Sequence, residues 1–253
     1  MTAADAAQAF IVGAQRCGTT SLATALARHP RVALAEPRRP EPKAFLVPGA
    51  EQDVAGYVAR WYGHAGPDVA LRLEKSTSYL GVPEARERIT AAFPDAHVVV
   101  QLRDPVDRAV SHYRFSRSSG LEDLPLEAAL DPAAEGRDWD RDAVSVSPYR
   151  YLSRGRYVEG LRGWVEAVAP ERLHVLVLEE LVADASGFEV LLGDLGLDPV
   201  AGAGFATEER HNAGEGDVAL DADLRRRLAA WFADANAELE ALLGRSIPAW
   251  TRA

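Results

Sequence analysis

Residues 10–21 read Phe-Ile-Val-Gly-Ala-Gln-Arg-Cys-Gly-Thr-Thr-Ser, and this stretch decides the fold. Ala9 to Ala14 is an apolar run the length of a buried strand, and from Thr20 to Arg28 the residues Leu22, Ala25 and Leu26 fall at helical spacing. Between strand and helix, Gly13 and Gly18 have the glycine spacing of a phosphate loop. Glycines allow the tight path that turns amide N–H groups inward, and the helix that follows offers its positive end to an anion. Thr19, Thr20 and Ser21 add hydroxyl donors. A nucleoside-triphosphate site has lysine where Thr19 stands, so phosphoryl transfer would lack its usual cation. The positive charge sits instead inside the loop, at Arg16. By itself this loop says only that an anion binds.

Outward from the loop, Val69 to Leu73, His97 to Leu102 and Leu173 to Leu178 are apolar enough to be strands buried on both faces. Helical patterns over Pro83 to Phe93, Pro105 to Ser118, Tyr157 to Val168 and Asp223 to Leu243 alternate with or follow them. This order predicts an α/β fold with a central, mostly parallel sheet flanked by helices, whose ligands bind beyond the carboxyl ends of the strands. One domain over 1–253 is expected, with residues 1–8 as a flexible terminus. Pro37 to Gly49 and Asp131 to Ser153 read as long irregular segments of the kind that often carry function.

The charge balance narrows the partners. With 28 basic and 38 acidic residues the net charge is -10, which opposes broad binding to nucleic acid but leaves room for a small anion pocket. Arg103, Arg108, Arg114 and Arg117 lie close together, and taken alone they read as one solvated helix face. The only lysines are Lys43 and Lys75, in a chain that otherwise uses arginine. A lysine ammonium can approach a reacting oxygen as a compact charge, which guanidinium cannot do. The single cysteine, Cys17, excludes an internal disulfide or a multi-cysteine metal site, and His64, His112 and His211 have no metal-ligand spacing, so no metal is expected. No apolar run reaches the ~18 residues of a membrane span, and the first ten residues lack a secretion signal; a cytoplasmic protein is expected.

Four separated motifs resemble the sulfotransferases that use 3′-phosphoadenosine-5′-phosphosulfate (PAPS), in their carbohydrate-type and bacterial branch. Phe10 to Ser21 is similar to that family's 5′-phosphosulfate loop, with Arg16 in place of its common lysine. Glu41-Pro-Lys-Ala-Phe45 is similar to the segment whose glutamate serves as base, and Glu74-Lys-Ser-Thr-Ser-Tyr-Leu80 to one whose lysine contacts the transferred sulfate. Val98 to Tyr113 resembles the 3′-phosphate motif, a strand followed by Arg-Asp-Pro and a helix bearing serine. The resemblance implies a P-loop nucleotide-hydrolase-like sulfotransferase fold and sulfuryl transfer from PAPS to a hydroxyl or amine of a small-molecule or carbohydrate acceptor, releasing adenosine 3′,5′-bisphosphate. It implies Glu41, Lys75 and Arg16 as catalytic residues. The nucleotide falls to Arg16, Cys17, Gly18, Thr19, Thr20 and Ser21 at one end and to Arg103 and Ser111 at the other. Tyr157, in Gly155-Arg-Tyr157, and Arg210 and Asn212, in Glu208-Glu-Arg-His-Asn212, are further nucleotide candidates, with core packing the alternative for Tyr157. Asp104 and Arg108 read equally as a helix cap and a surface charge, and His112 is the alternative base. A P-loop kinase, or a nucleotide-binding module without chemistry, are the rival functions.

Overall fold

The strand that feeds the phosphate loop is the middle of a five-stranded sheet. The computed structural model describes residues 6–140, 147–198 and 220–250. Its strands are β1 (Ala7–Gly13), β2 (Val32–Leu34), β3 (Leu71–Lys75), β4 (His97–Leu102) and β5 (Leu173–Val177), and its helices are α1 (Thr19–Leu26), α2 (Val54–Tyr62), α3 (Pro83–Ala92), α4 (Pro105–Ser118), α5 (Leu126–Ala129), α6 (Tyr157–Ala167), α7 (Leu178–Ala183), α8 (Ser186–Asp194) and α9 (Ala222–Leu243). The described residues fall into two units, one within 1–102 and 160–209, the other within 103–159 and 210–253.

All five strands belong to the first unit, in the order β2-β3-β1-β4-β5, and every pairing is parallel. Strand alternation divides β1 between two apolar layers. Ala9 and Ile11 join Leu22, Leu26, Leu73, Val99, Leu191 and Leu192 in one core, which α1 and α8 cover. Phe10 points the other way, into a cluster of rings in which Phe45 lies 5.7 Å and Phe93 5.6 Å from it. The same alternation acts on β3. Glu74 stands opposite Phe10 and Lys75 opposite Ile11, so Glu74 faces the rings while Lys75 takes the α1 side at the strand's carboxyl end.

The register moves two expectations. β3 runs two residues past the apolar pattern, so Glu74 and Lys75 are in the strand rather than after it, held by pairing with β1. Ala7 and Gln8, expected in a flexible terminus, begin β1, and the buried Gln8 amide donates to the Tyr62 hydroxyl at 3.1 Å. Residues 1–5 of that expected terminus lie outside the described residues.

In the second unit α4 begins on Pro105, whose missing N–H costs nothing in a first turn, and the Asp104 side chain caps it by accepting from the Asp107 amide at 2.9 Å. Val106, Ala109, Val110 and Tyr113 of α4 pack with Tyr151, Leu224, Leu228 and Phe232. Arg108 is fully buried and donates to the Tyr151 carbonyl, so the reading of that arginine as a surface charge is wrong. The segment after Asp131 is also tied down where it is described. Arg137 forks onto the buried Glu122 carboxylate and stacks 4.1 Å from the Tyr149 ring centre. Among the described residues no helix is long and apolar enough to cross a membrane.

Candidate active site

The phosphate loop leaves β1 at Gly13 and enters α1 at Thr19. Gly18 is the N-cap, at φ 78°, a left-handed conformation natural to glycine. Having no side chain, it leaves the first amides of α1 to be met by something else, and an anion meets them well. Arg16 is also left-handed, at φ 71°. A non-glycine residue there is costly and persists where surroundings impose it, commonly at functional loops. Space at Gly18 is tight: a Cβ would lie 3.0 Å from Leu178 Cδ1 and 3.1 Å from Gln101 Nε2. Cys17 and Thr19 are buried, while Arg16, Gly18, Thr20 and Ser21 are part-exposed. The donor set of amides, hydroxyls and one guanidinium suits a phosphate or sulfate, and no group of three or more acidic, histidine or cysteine side chains able to hold a metal ion occurs among the described residues.

Glu41 and Lys75, distant in sequence, meet at the end of β3. The Lys75 ammonium donates to Glu41 Oε1, with only 14% of the lysine and 18% of the glutamate side chain exposed. Thr77 completes the setting, donating its backbone N–H to Glu41 Oε2 at 3.0 Å and its hydroxyl to the same carboxylate at 3.1 Å. A carboxylate so gripped has a fixed direction, and its immediate neighbour is a cation.

Beneath this pair lies a second carboxylate that the motif reading passed over. Glu74 is fully buried and accepts from Ser76 Oγ at 2.6 Å, Tyr79 Oη at 2.7 Å and Tyr57 Oη at 2.5 Å. Burial pushes its pKa up, and the three hydroxyl donors pull the other way. The Tyr57, Tyr62 and Tyr79 hydroxyls are all raised above the ordinary phenol value, first by burial and then by the Glu74 charge. They stay protonated and act as donors. In the sequence it stands only as an acidic residue just past an apolar run, followed by a run of hydroxyl residues, with nothing to show that they meet.

In the second unit Arg103 and Ser111 are part-exposed, on the residue before the Asp104 cap and two turns into α4. Tyr157 is only 2% exposed, and its hydroxyl donates to the Arg103 carbonyl at 2.8 Å while its ring tilts against Trp250 at 5.9 Å. Its visible part is to fix the backbone of Arg103. His112 is buried edge-on against Tyr151 at 4.8 Å. Arg210 and Asn212 lie outside the described residues.

Comparison with known proteins turns this geometry into a family. A model described as a sulfotransferase domain matches residues 6–187, from β1 into α8. The chain belongs to the sulfotransferase family. The crystal structure of a sulfotransferase from Alicyclobacillus acidocaldarius is 27% identical, with a TM-score of 0.74 over 97% of this chain and 99% of that one. The bifunctional heparan sulfate N-deacetylase/N-sulfotransferase 2 of Bos taurus is 25% identical over 96% of this chain and 30% of its own length. The heparan sulfate glucosamine 3-O-sulfotransferase 6 of Homo sapiens is 30% identical over 71% of this chain and 49% of its own. This sulfotransferase chain thus spans half or less of the curated relatives it matches.

Proposed function

We propose that the protein transfers a sulfuryl group from PAPS to a hydroxyl or amine of a carbohydrate or other small acceptor, releasing adenosine 3′,5′-bisphosphate. The observation that carries this reading is the Glu41 carboxylate fixed by Lys75 and Thr77 at the carboxyl end of β3, in a chain whose β1 feeds a lysine-free phosphate loop. The names of the heparan sulfate relatives favour a carbohydrate acceptor.

Bound PAPS supplies an activated sulfur whose bond to the 5′-phosphate oxygen breaks as the acceptor attacks. The protein's part is to hold, align and take a proton. The amides after Gly18, with Thr19, Thr20, Ser21 and Cys17, cradle the 5′-phosphosulfate end, and the Arg16 guanidinium neutralises it. Arg103 and Ser111 take the 3′-phosphate, on the strength of the motif they stand in, with Tyr157 holding Arg103 from behind. Arg210 and Asn212 are assigned to the nucleotide on sequence resemblance alone. Glu41 takes the acceptor's proton as the new bond to sulfur forms. The Lys75 ammonium stands where negative charge grows on the departing oxygen, so it stabilises the transition state more than the ground state. A cytoplasmic site of action is part of the same proposal.

The test is Glu41→Gln. It keeps the shape and removes the base, so turnover falls by about 10²- to 10⁴-fold while calorimetry shows adenosine 3′,5′-bisphosphate binding unchanged and independent of magnesium. Full turnover in that variant removes Glu41 from the role. Binding of ATP in preference to the bisphosphate would instead point to a kinase.

A further inference from the structure

The loop that carries Glu41 is irregular, yet it must deliver a carboxylate to one point. Between Glu36 and Ala44 it has no regular structure, and Lys43, two residues after Glu41, is left-handed at φ 50°. Lysine in that conformation is unfavourable by about 1–2 kcal/mol relative to the right-handed form, so its surroundings must impose it. Two hydrogen bonds do so from either side. The Lys43 N–H donates to Ser76 Oγ at 2.9 Å, and the Phe45 N–H donates to Tyr79 Oη at 3.1 Å.

Each of those hydroxyls has one hydrogen, and both hydrogens go to the same atom, Oε1 of Glu74. A hydroxyl whose proton is committed can only present a lone pair on its other side. Glu74, which donates nothing when ionised, is thus the terminal acceptor that turns Ser76 and Tyr79 toward the loop's amides. The chain of bonds runs from Glu74 through the two hydroxyls to residues 43 and 45, and by way of that strained backbone to Glu41. The Phe45 ring, fully buried among Phe10, Tyr57 and Tyr79, clamps the loop from its apolar side.

We infer that Glu74 is a positioning residue for sulfuryl transfer: through Ser76 and Tyr79 it holds the strained turn at Lys43 and so keeps the Glu41 carboxylate on Lys75 and Thr77. The inference rests on Glu41 being the base. Glu74 itself never meets the acceptor or the donor; its effect passes wholly through Glu41.

The experiment uses Ser76→Ala and Tyr79→Phe, each of which cuts one strut and leaves Glu74 in place. Tyr62→Phe is the control, because it removes a buried hydroxyl from the same tyrosine cluster without touching Glu74 or the loop. Both strut variants lose about 10-fold in kcat with the KM for PAPS and the affinity for adenosine 3′,5′-bisphosphate within about 2-fold, whereas the control keeps its kcat. A merely structural role would lower stability and nucleotide affinity together. In a Glu41→Gln background, measured by single turnover, Tyr79→Phe costs less than about 2-fold, since a base already absent cannot be misplaced. Full kcat in both strut variants, or an undiminished 10-fold loss in the Glu41→Gln background, overturns the inference. If Glu41→Gln alone retains full turnover, the assignment of the base has failed, a result separable from the first because it does not involve Ser76 or Tyr79.

Discussion

Replacing Gly18 by alanine tests the phosphate loop at the point where its geometry is tightest. Two costs combine. An L-residue at φ 78° is unfavourable by about 1–2 kcal/mol. The new Cβ, 3.0 Å from Leu178 Cδ1 and 3.1 Å from Gln101 Nε2, adds crowding, of about 1 kcal/mol because both neighbours are side-chain ends able to give by a few tenths of an ångström. Gly196→Ala isolates the first cost, since Gly196 has φ 69° and no atom within 4 Å of a Cβ. If the loop keeps its path, Gly18→Ala melts lower than Gly196→Ala by about 3 °C in a thermal scan, from 2–4 °C per kcal/mol for a chain of this size. If the loop gives way instead, the same free energy appears as a loss of about 5- to 10-fold in affinity for adenosine 3′,5′-bisphosphate by calorimetry. A Gly18→Ala protein that melts with Gly196→Ala and binds the bisphosphate like the parent refutes both the tight packing and the place of this loop in binding.

Other consequences can be measured in parallel. Thr77→Val removes one hydroxyl donor from Glu41 while the Thr77 amide remains, so kcat falls by about 3- to 10-fold and Thr77→Ser restores most of it. Phe45→Ala empties a fully buried site among four rings and lowers stability by about 3–5 kcal/mol in urea unfolding. Arg103→Ala weakens adenosine 3′,5′-bisphosphate by about 10-fold or more and leaves binding of adenosine 5′-phosphosulfate, which lacks the 3′-phosphate, nearly unchanged. At the amino ends of β4 and β5, His97 Nδ1 and His174 Nε2 lie 3.0 Å apart, within hydrogen-bond distance. Burial lowers both pKa values below the ordinary histidine range. The unfolded chain therefore takes up protons first as pH falls below about 6.5. Stability present above that pH is lost as the pH drops toward the folded values. The melting temperature should fall from pH 7 to pH 5, and His97→Gln should flatten that slope.

The sequence made some of this visible and hid the rest for physical reasons. Residues 10–21 announce strand, loop and helix because a buried apolar run, two glycines and a 3.6-residue period are all local. The start of α4 follows from Pro105 for the same reason. β2 escaped because three residues, Val32–Leu34, carry no periodicity and are ordered by pairing with β3. The end of β3 escaped because its pattern turns polar at Glu74 while the ladder continues to Lys75. Glu41 and Lys75 stood out through the motifs around them, but their meeting is a tertiary fact. Glu74 could not be read as a hub, since its worth depends on hydroxyls brought to it by α2 and by the turn after β3.

The adjacency of Glu74 and Lys75 makes their dipeptide a two-way junction. One residue serves the ring-filled layer, the next pairs with Glu41, and pleating alone separates them. Inserting or deleting a single residue within β3 would exchange the two, sending an ammonium into the rings and a carboxylate to the face that meets Glu41, although composition would hardly change. The loop between Glu36 and Glu41 has no strand phase to lose, whereas Leu71–Lys75 is fixed in phase by its pairing with β1.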